Sequence, residues 1–347
     1  MWDNTTLRRI NLRRSSEVAH VRRFLERFGL SFDAAVDYTA ALYREETIVA
    51  TGSLAGEVLR NFAVDEAMQG EGLTATVISE LMREAAARGV YHYFIYTRPQ
   101  KAHLFASLGF AEIARAEPFA ALLESGLGSI QQYCRDLQQQ TSCLPLESRA
   151  AIVMNGNPFT LGHLALVRAA AARSNVILFV VSEDRSIIPF ADRFRLIRQG
   201  VEELPNVVVI PGGKYLISAA TFPGYFTREN ETVTAQTRLD ATLFAARIAP
   251  ALGIKTRYAG EEPYCEVTDA YNKAMADIFP AYGLQLQVMA RAEANGEAIS
   301  ASQVRAAIRR DDWPTVAELV PATTLAYLRS KQAQAVIEQI KTSDSRH

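Results

Sequence analysis

Two short stretches of this chain combine residue types that hold and polarise phosphate. The first is Met154-Asn155-Gly156-Asn157-Pro158-Phe159-Thr160-Leu161-Gly162-His163. An apolar run ends at Met154, a Gly/Asn/Pro turn follows, and a helical pattern opens at Gly162-His163. A helix N-terminus presents free N–H groups and the positive end of its dipole, so it favours an anion. Gly162 lets a ligand approach the backbone, and Asn155 and Asn157 border the turn. His163, in the first turn, is placed to donate to an α-phosphate as negative charge builds there. A purely structural capping histidine would produce the same four residues at 160–163.

The second stretch is Ile299-Ser300-Ala301-Ser302-Gln303-Val304-Arg305, after the last predicted strand. Ser300 or Ser302 caps a helix whose N–H groups would face the leaving phosphates. Arg305 lies about one turn in, where its fork would hold the β- and γ-phosphates. A Ser-capped helix with a surface arginine is the plain alternative. Both stretches sit at strand-to-helix junctions, which favours a shared nucleotide site. Thr160, His163 and Arg305 are therefore the candidate catalytic residues. Asn155, Asn157, Gly162, Lys214, Gly260, Ser300 and Ser302 are the candidate ATP-binding residues. Ser182-Glu183-Asp184-Arg185 and Arg193 are supporting basic or polar positions, and Gly260-Glu261-Glu262-Pro263 would border the adenine. Mg²⁺ is implied as a bridge between phosphate oxygens, with no dedicated protein ligands. Such a site identifies the electrophile and leaves the nucleophile open.

The elements that must position these residues alternate cleanly. Apolar runs at 151–154, 176–181, 206–210, 254–259 and 284–289 read as strands buried on both faces. Helical patterns at 163–173, 191–204, 232–249 and 268–278 lie between them. This alternation predicts an α/β, doubly wound parallel sheet, which binds ligands beyond the carboxyl ends of its strands where the strand order reverses. The first half reads as α+β. Strands near 39–43, 47–53, 57–64 and 91–96 surround a helix from Leu73 to Arg88, with Leu73, Val77, Ile78, Leu81, Met82 and Ala85 on one face and Gly89 as its stop. Glu117-Pro118, Gly126, Gly128 and a glutamine-rich stretch mark a junction, with a helix near 130–137. The expected domains are 1–120 and 149–347, joined by a linker over 121–148.

Bulk properties exclude several classes. A chain of 347 residues exceeds one ordinary core. A net charge of −1 with dispersed basic residues argues against a nucleic-acid partner. No apolar run reaches the roughly 18 residues of a membrane span, and the N-terminus lacks a secretory pattern. Cys134, Cys143 and Cys265 have neither disulfide nor metal spacing. These features predict a cytoplasmic protein.

The two phosphate stretches resemble the T/H-x-G-H and I-S-x-S-x-x-R signatures of the nucleotidyltransferase superfamily, with Thr160 in place of the first histidine. A third stretch, Val64-Asp65-Glu66-Ala67-Met68-Gln69-Gly70-Glu71-Gly72-Leu73-Thr74, resembles the Q/R-x-x-G-x-G/A pyrophosphate loop of the acetyl-CoA-dependent N-acetyltransferases. Phe105-Ala106-Ser107-Leu108-Gly109-Phe110 resembles the closing Y-x-x-x-G-F of that superfamily. Thr74 departs from its final Gly/Ala. Phe105 replaces the tyrosine that protonates the departing thiolate, and phenylalanine has no proton to give. His103 is the one nearby substitute, and a structural role suits it better. The resemblance thus implies a domain in which Gln69, Gly70 and Gly72 bind a CoA-like arm, with acetyl transfer there in doubt.

An acetyltransferase-like (GNAT) domain followed by a Rossmann-like nucleotidyltransferase domain resembles the [citrate (pro-3S)-lyase] ligase family over nearly the whole chain. Residues 214–226, Glu262 to Thr268, and Tyr271-Asn272 resemble its loops. Membership implies an ATP-dependent ligase. Such an enzyme forms acetyl-adenylate from acetate and acetylates the phosphoribosyl-dephospho-CoA thiol on the citrate lyase acyl-carrier subunit. AMP and pyrophosphate are released. The residues alone leave three alternatives: a nucleotidyltransferase with a phosphorylated small-molecule acceptor, an acetyltransferase with a nucleotide-sensing domain, and a non-enzymatic ATP-sensing partner protein.

Overall fold

The computed structural model describes residues 5–33, 35–182, 186–217, 229–261, 266–294 and 296–342. The chain divides into two compact units: Met1–Tyr133 with Ala219–Leu243, and Cys134–Ser218 with Phe244–His347.

The first unit contains β1 (Thr5–Arg9), α1 (Ser15–Glu26), β2 (Tyr38–Arg44), β3 (Thr47–Ala55), β4 (Val58–Val64), α2 (Leu73–Ala87), β5 (His92–Thr97), α3 (Ala102–Ala106), β6 (Ala111–Ala116) and β7 (Ala120–Gly126). Its sheet runs in the order β1-β2-β3-β4-β5-β7-β6. Leu73, Val77, Ile78, Leu81 and Ala85 recur every three or four residues, so α2 buries one face against Tyr38, Leu42, Leu54, Leu59 and Ile95. Gly89, at φ +78°, takes the left-handed position that ends α2. The one parallel pair, β4 with β5, is short. Val58 pairs with Phe94 and Leu59 with Ile95, and no further pairs follow.

The next elements are α4 (Ile130–Gln140), β8 (Arg149–Met154), α5 (Leu161–Ala171), β9 (Asn175–Val180), α6 (Phe190–Gly200), β10 (Val207–Pro211), α7 (Glu229–Leu243), α8 (Ala249–Leu252), β11 (Thr256–Gly260), α9 (Glu266–Ile278) and β12 (Gln285–Met289). A two-residue hairpin, β13 (Glu293–Ala294) and β14 (Glu297–Ala298), precedes α10 (Ala301–Arg309). Three helices follow: α11 (Trp313–Leu319), α12 (Ala322–Leu328) and α13 (Gln334–Thr342). Strands β8 to β12 form an all-parallel sheet in the order β10-β9-β8-β11-β12. The chain winds outward from β8 to β10, then restarts on the other side at β11. The reversal therefore lies between β8 and β11, and their carboxyl ends, Met154 and Gly260, flank the expected crevice. The five strands and four helical patterns anticipated from periodicity occur within a few residues of their expected places.

Two boundaries differ from the sequence expectation. The supposed linker over 121–148 is folded. Its first residues form β7 between β5 and β6, with Ala120 to Glu124 buried. The glutamines of α4 are exposed, and Ile130, Cys134 and Leu137 supply its buried stripe. Buried Arg149 ties down the segment after α4. Its guanidinium donates to the carbonyls of Pro145, Leu252, Thr141 and Leu144. The second difference is α7, which lies between β10 and β11 in sequence yet packs against β6 and β7 of the first unit. The stretch 149–347 is therefore not one uninterrupted domain. Among the described residues no helix is long and apolar enough to cross a membrane.

Truncating Arg149 would strand several buried carbonyls at once. Arg149→Ala should destabilise the second unit by about 3 kcal/mol or more, read as a lower urea midpoint. An unchanged midpoint would remove Arg149 as the anchor of this segment.

Candidate functional site

The turn after β8 is organised by hydrogen bonds that the sequence placed only approximately. Asn155 is exposed, and its Oδ1 accepts from Arg193 Nη1 at 2.7 Å while its Nδ2 donates to Ser186 Oγ at 2.9 Å. Asn157 is buried, and its Oδ1 accepts from the N–H of Ile188 at 3.1 Å. Arg193 is fully buried and donates to the backbone carbonyls of Asn155, Val181 and Ile188. It therefore holds the loops after β8 and β9 together, a structural role in place of the supporting position at a nucleotide site expected from sequence.

Helix α5 opens with a reciprocal cap. Thr160 Oγ1 accepts from the N–H of His163 at 3.3 Å, and the N–H of Thr160 donates to His163 Nδ1 at 3.1 Å. Thr160 Oγ1 also lies 2.8 Å from Nδ1. A ring nitrogen that accepts a backbone N–H carries no proton, so the neutral imidazole holds its hydrogen on Nε2. Burial, then the positive charge of Arg291, lowers the His163 pKa from 6.5 to about 4. The ring is accordingly neutral at pH 7 and offers one fixed donor. It stacks on Phe159 at 5.8 Å between centroids.

Helix α10 repeats this cap with Ser300 and Gln303. The two caps adjoin because Gly162 lacks a side chain. A Cβ there would stand 2.9 Å from the carbonyl oxygen of Ile299. Sequence reading gave that space to a ligand, but the neighbouring chain fills it. Ser302 is exposed in the first turn of α10. Arg305 is buried, with Nη1 bound to the carbonyl of Asn157 and Nη2 3.5 Å from Ser302 Oγ. Part of its fork thus locks the first motif to the second. Burial, then Arg309, lowers its pKa.

Gly260 ends β11 with no described residue within 4 Å of where a Cβ would stand, and its carbonyl accepts from Asn272 Nδ2 at 3.1 Å. Lys214 is exposed beyond β10, which stands two strands from β8. That offset is about 10 Å across the sheet. Glu183, Asp184 and Arg185, together with Glu262, Pro263 and the loop residues 218–226, lie outside the described residues. The sequence reading missed Arg291. Its Nε donates to the carbonyl of Glu261 at 2.6 Å, and the next residue, Ala292, accepts from the N–H of Ile299 at 2.8 Å. Arg291 is thereby tied to the loops after β11 and before α10. Its one sequence signal was its place just past the last strand of the sheet. Among the described residues no cluster of three or more His, Cys, Asp or Glu side chains could hold a metal.

In the first unit Gly70 and Gly72 take φ values of +88° and +76°. Gly72 is the N-cap of α2 and supplies no side-chain cap. The first N–H groups of α2 therefore face outward, beside exposed Gln69. β4 and β5 pair only at Val58 with Phe94 and Leu59 with Ile95. Phe105 is buried against the Phe62 ring at 5.4 Å, and His103 is exposed.

The family model of the citrate lyase ligase C-terminal domain matches residues 149–328. The chain is 41% identical over 314 residues to a [citrate [pro-3S]-lyase] ligase of Klebsiella pneumoniae, covering 89% of this chain and 91% of that one. It is 34% identical over 337 residues to the ligase of that name from Escherichia coli K12, covering 95% of each. Among solved structures, the ribosomal-protein-S18-alanine N-acetyltransferase of Escherichia coli is 17% identical, with a TM-score of 0.31 over 36% of this chain and 95% of that one. A GNAT-family acetyltransferase of Staphylococcus aureus is 12% identical, with a TM-score of 0.30 over 35% of this chain and 100% of that one.

Two outcomes follow from this geometry. Gly162→Ala should destabilise the protein by about 1–3 kcal/mol, because Ile299 contributes a backbone oxygen that cannot step aside; equal denaturation midpoints would refute the close approach. The His163 pKa sets the second. Below pH 6.5 the unfolded imidazole binds a proton that the folded one refuses until about pH 4. Stability attributable to His163 should fall as pH drops through that window and stay flat above it. His163→Gln should abolish this component in denaturation curves taken across pH; a pH dependence matching the parent would show that His163 is not depressed.

Proposed function

This chain belongs to the [citrate (pro-3S)-lyase] ligase family, and from that premise we propose that it activates acetate with ATP and transfers the acetyl group to a carrier thiol. An acetate carboxylate oxygen forms a bond to the α-phosphorus of ATP. The bond from that phosphorus to the bridging oxygen breaks, and pyrophosphate leaves with the electron pair. The sulfur of a dephospho-CoA-type prosthetic group on the citrate lyase acyl-carrier subunit then attacks the acetyl carbonyl. AMP departs, and the thiol proton passes to solvent.

The observation that carries this reading is the neutral His163, held by Thr160 with its remaining hydrogen on Nε2. A fixed neutral donor at a helix N-terminus suits a phosphate whose charge rises only in the transition state. Arg291 adds a positive charge beside it, and Gly260 leaves room at the opposite wall of the crevice. Asn155, Asn157, Ser300 and Arg305 then shape the site more than they touch ATP, while Ser302 and Lys214 remain exposed for the phosphates. In the first unit, Gln69, Gly70 and Gly72 would hold the pyrophosphate of the prosthetic arm. Its amide-bearing chain would lie along the parted edges of β4 and β5. Phe105 has no proton to donate, which suits a domain that receives an activated acyl group and does not expel CoA.

Isotope exchange between pyrophosphate and ATP tests the two halves separately. Exchange should require acetate and fall about 100–1000-fold in His163→Gln, the usual cost of losing one transition-state donor. Gly72→Val should leave exchange intact while impairing thiol acetylation. Absence of exchange with any short carboxylate would defeat the acid-activation reading, and equal loss of both half-reactions in Gly72→Val would defeat the division of labour.

A further inference from the structure

The buried arginines differ in whether the guanidinium makes any hydrogen bond. Arg149, Arg193 and Arg305 donate to backbone carbonyls, and Arg60 to the carboxylate of Asp33. Arg257 is 3% exposed, yet its Nη1 is buried without a hydrogen-bond partner among the described residues. Its guanidinium carbon lies 4.6 Å from the centroid of the Phe244 ring and 5.2 Å from that of Tyr271. Phe244 packs in turn on Phe179 and Phe279.

Aromatic faces attract a guanidinium, but they accept no hydrogen bond in its plane. Arginine cannot relieve its burial by losing a proton. An unpaired charge in such surroundings is unfavourable unless an anion completes it. The missing partner must be small and planar, with two oxygens to meet the fork, and any remainder must be apolar to suit the rings. A short-chain carboxylate meets all three conditions. A polyphosphate, which needs many donors, does not. Arg257 stands on β11 three residues before its carboxyl end, level with Ala151 of β8, and Tyr271 precedes Asn272, which holds the carbonyl of Gly260 at that end.

We propose that Arg257, flanked by Phe244 and Tyr271, binds the carboxylate of the acid substrate. The proposal rests on the acid-activation reading for its biological sense, although carboxylate binding can be measured without catalysis. Held on the fork by both oxygens, a carboxylate keeps on each a lone pair directed away from the guanidinium, available for attack.

Acetate binding to the full-length protein should be followed by saturation-transfer NMR and by thermal midpoint. Both are run with and without α,β-methylene ATP, against chloride at equal ionic strength. The parent protein should bind acetate and be stabilised by it. Arg257→Met, which removes the buried charge at similar volume, should fold with an equal or higher midpoint in chloride and bind acetate at least tenfold more weakly. Arg257→Lys, which keeps charge without the fork, should fall between them. The KM for acetate should rise in both variants, with that for ATP within twofold of the parent. Equal acetate affinity in parent and Arg257→Met would overturn the proposal, as would acetate binding to neither with or without the nucleotide analogue. Should Arg257→Met fail to fold, parent-like acetate affinity in Arg257→Lys would overturn it equally. Loss of pyrophosphate exchange in the parent, with acetate binding retained, would instead count against the acid-activation reading alone.

Discussion

A single backbone hydrogen bond, from the N–H of Thr160 to Nδ1 of His163, sets the state of the ring at the start of α5. It fixes the tautomer, orients the ring and leaves Nε2–H as the one hydrogen available to a ligand. The depressed pKa keeps that state through the neutral range. On the proposed reading, a neutral donor strengthens its bond as charge accumulates on the phosphate, whereas a protonated imidazole would hold the ground-state triphosphate as firmly as the transition state, and uniform binding does not accelerate a reaction. The surrounding architecture serves this bond. Phe159 backs the ring, and Gly162 lets α5 meet the chain before α10. Arg305 clasps the carbonyl of Asn157, and Arg193 gathers the loops after β8 and β9.

Several arginines carry charge into the scaffold, and they do so in more than one way. Arg149 and Arg193 replace missing secondary structure, satisfying carbonyls that loops would leave dry. Arg291 is tethered through Nε, so its remaining nitrogens are directed by the backbone and not by side-chain entropy. Arg257 is surrounded by rings and is explained best by a ligand. The chain path adds a further constraint. The crossover from β10 to β11 contributes α7 to the sheet of the first unit. Neither unit is therefore a contiguous sequence segment, and cutting the chain at either boundary would expose apolar surface of β6 and β7.

Much of the fold was legible because its signals are local. Buried parallel strands such as Val176 to Val181 are continuous apolar runs, and α2 shows a clean apolar stripe ended by Gly89. What escaped was long-range or weakly patterned. β1, Thr5–Arg9, is a mostly exposed edge strand with one apolar residue and no alternation to detect. β7 follows a proline and a turn, so it read as a junction. The glutamines after it read as linker because they form the wet face of α4. The site shows the same division. His163 and Thr160 lie three residues apart, so their pairing was visible as a motif. The partners of Gly162, Arg193 and Arg291 come from other loops, and spacing along the chain carries no trace of them.

The central claim is that a carboxylate attacks the α-phosphorus. It predicts the fate of one oxygen atom. With acetate labelled by ¹⁸O in both positions, ATP and a thiol acceptor, the AMP released should carry one labelled oxygen and the pyrophosphate none. The label would be transferred when the thiol displaces AMP from the acyl carbon. Unlabelled AMP alongside an acetylated thiol would contradict the account, because the acyl group would then have been activated by a route that never joined acetate to the α-phosphate.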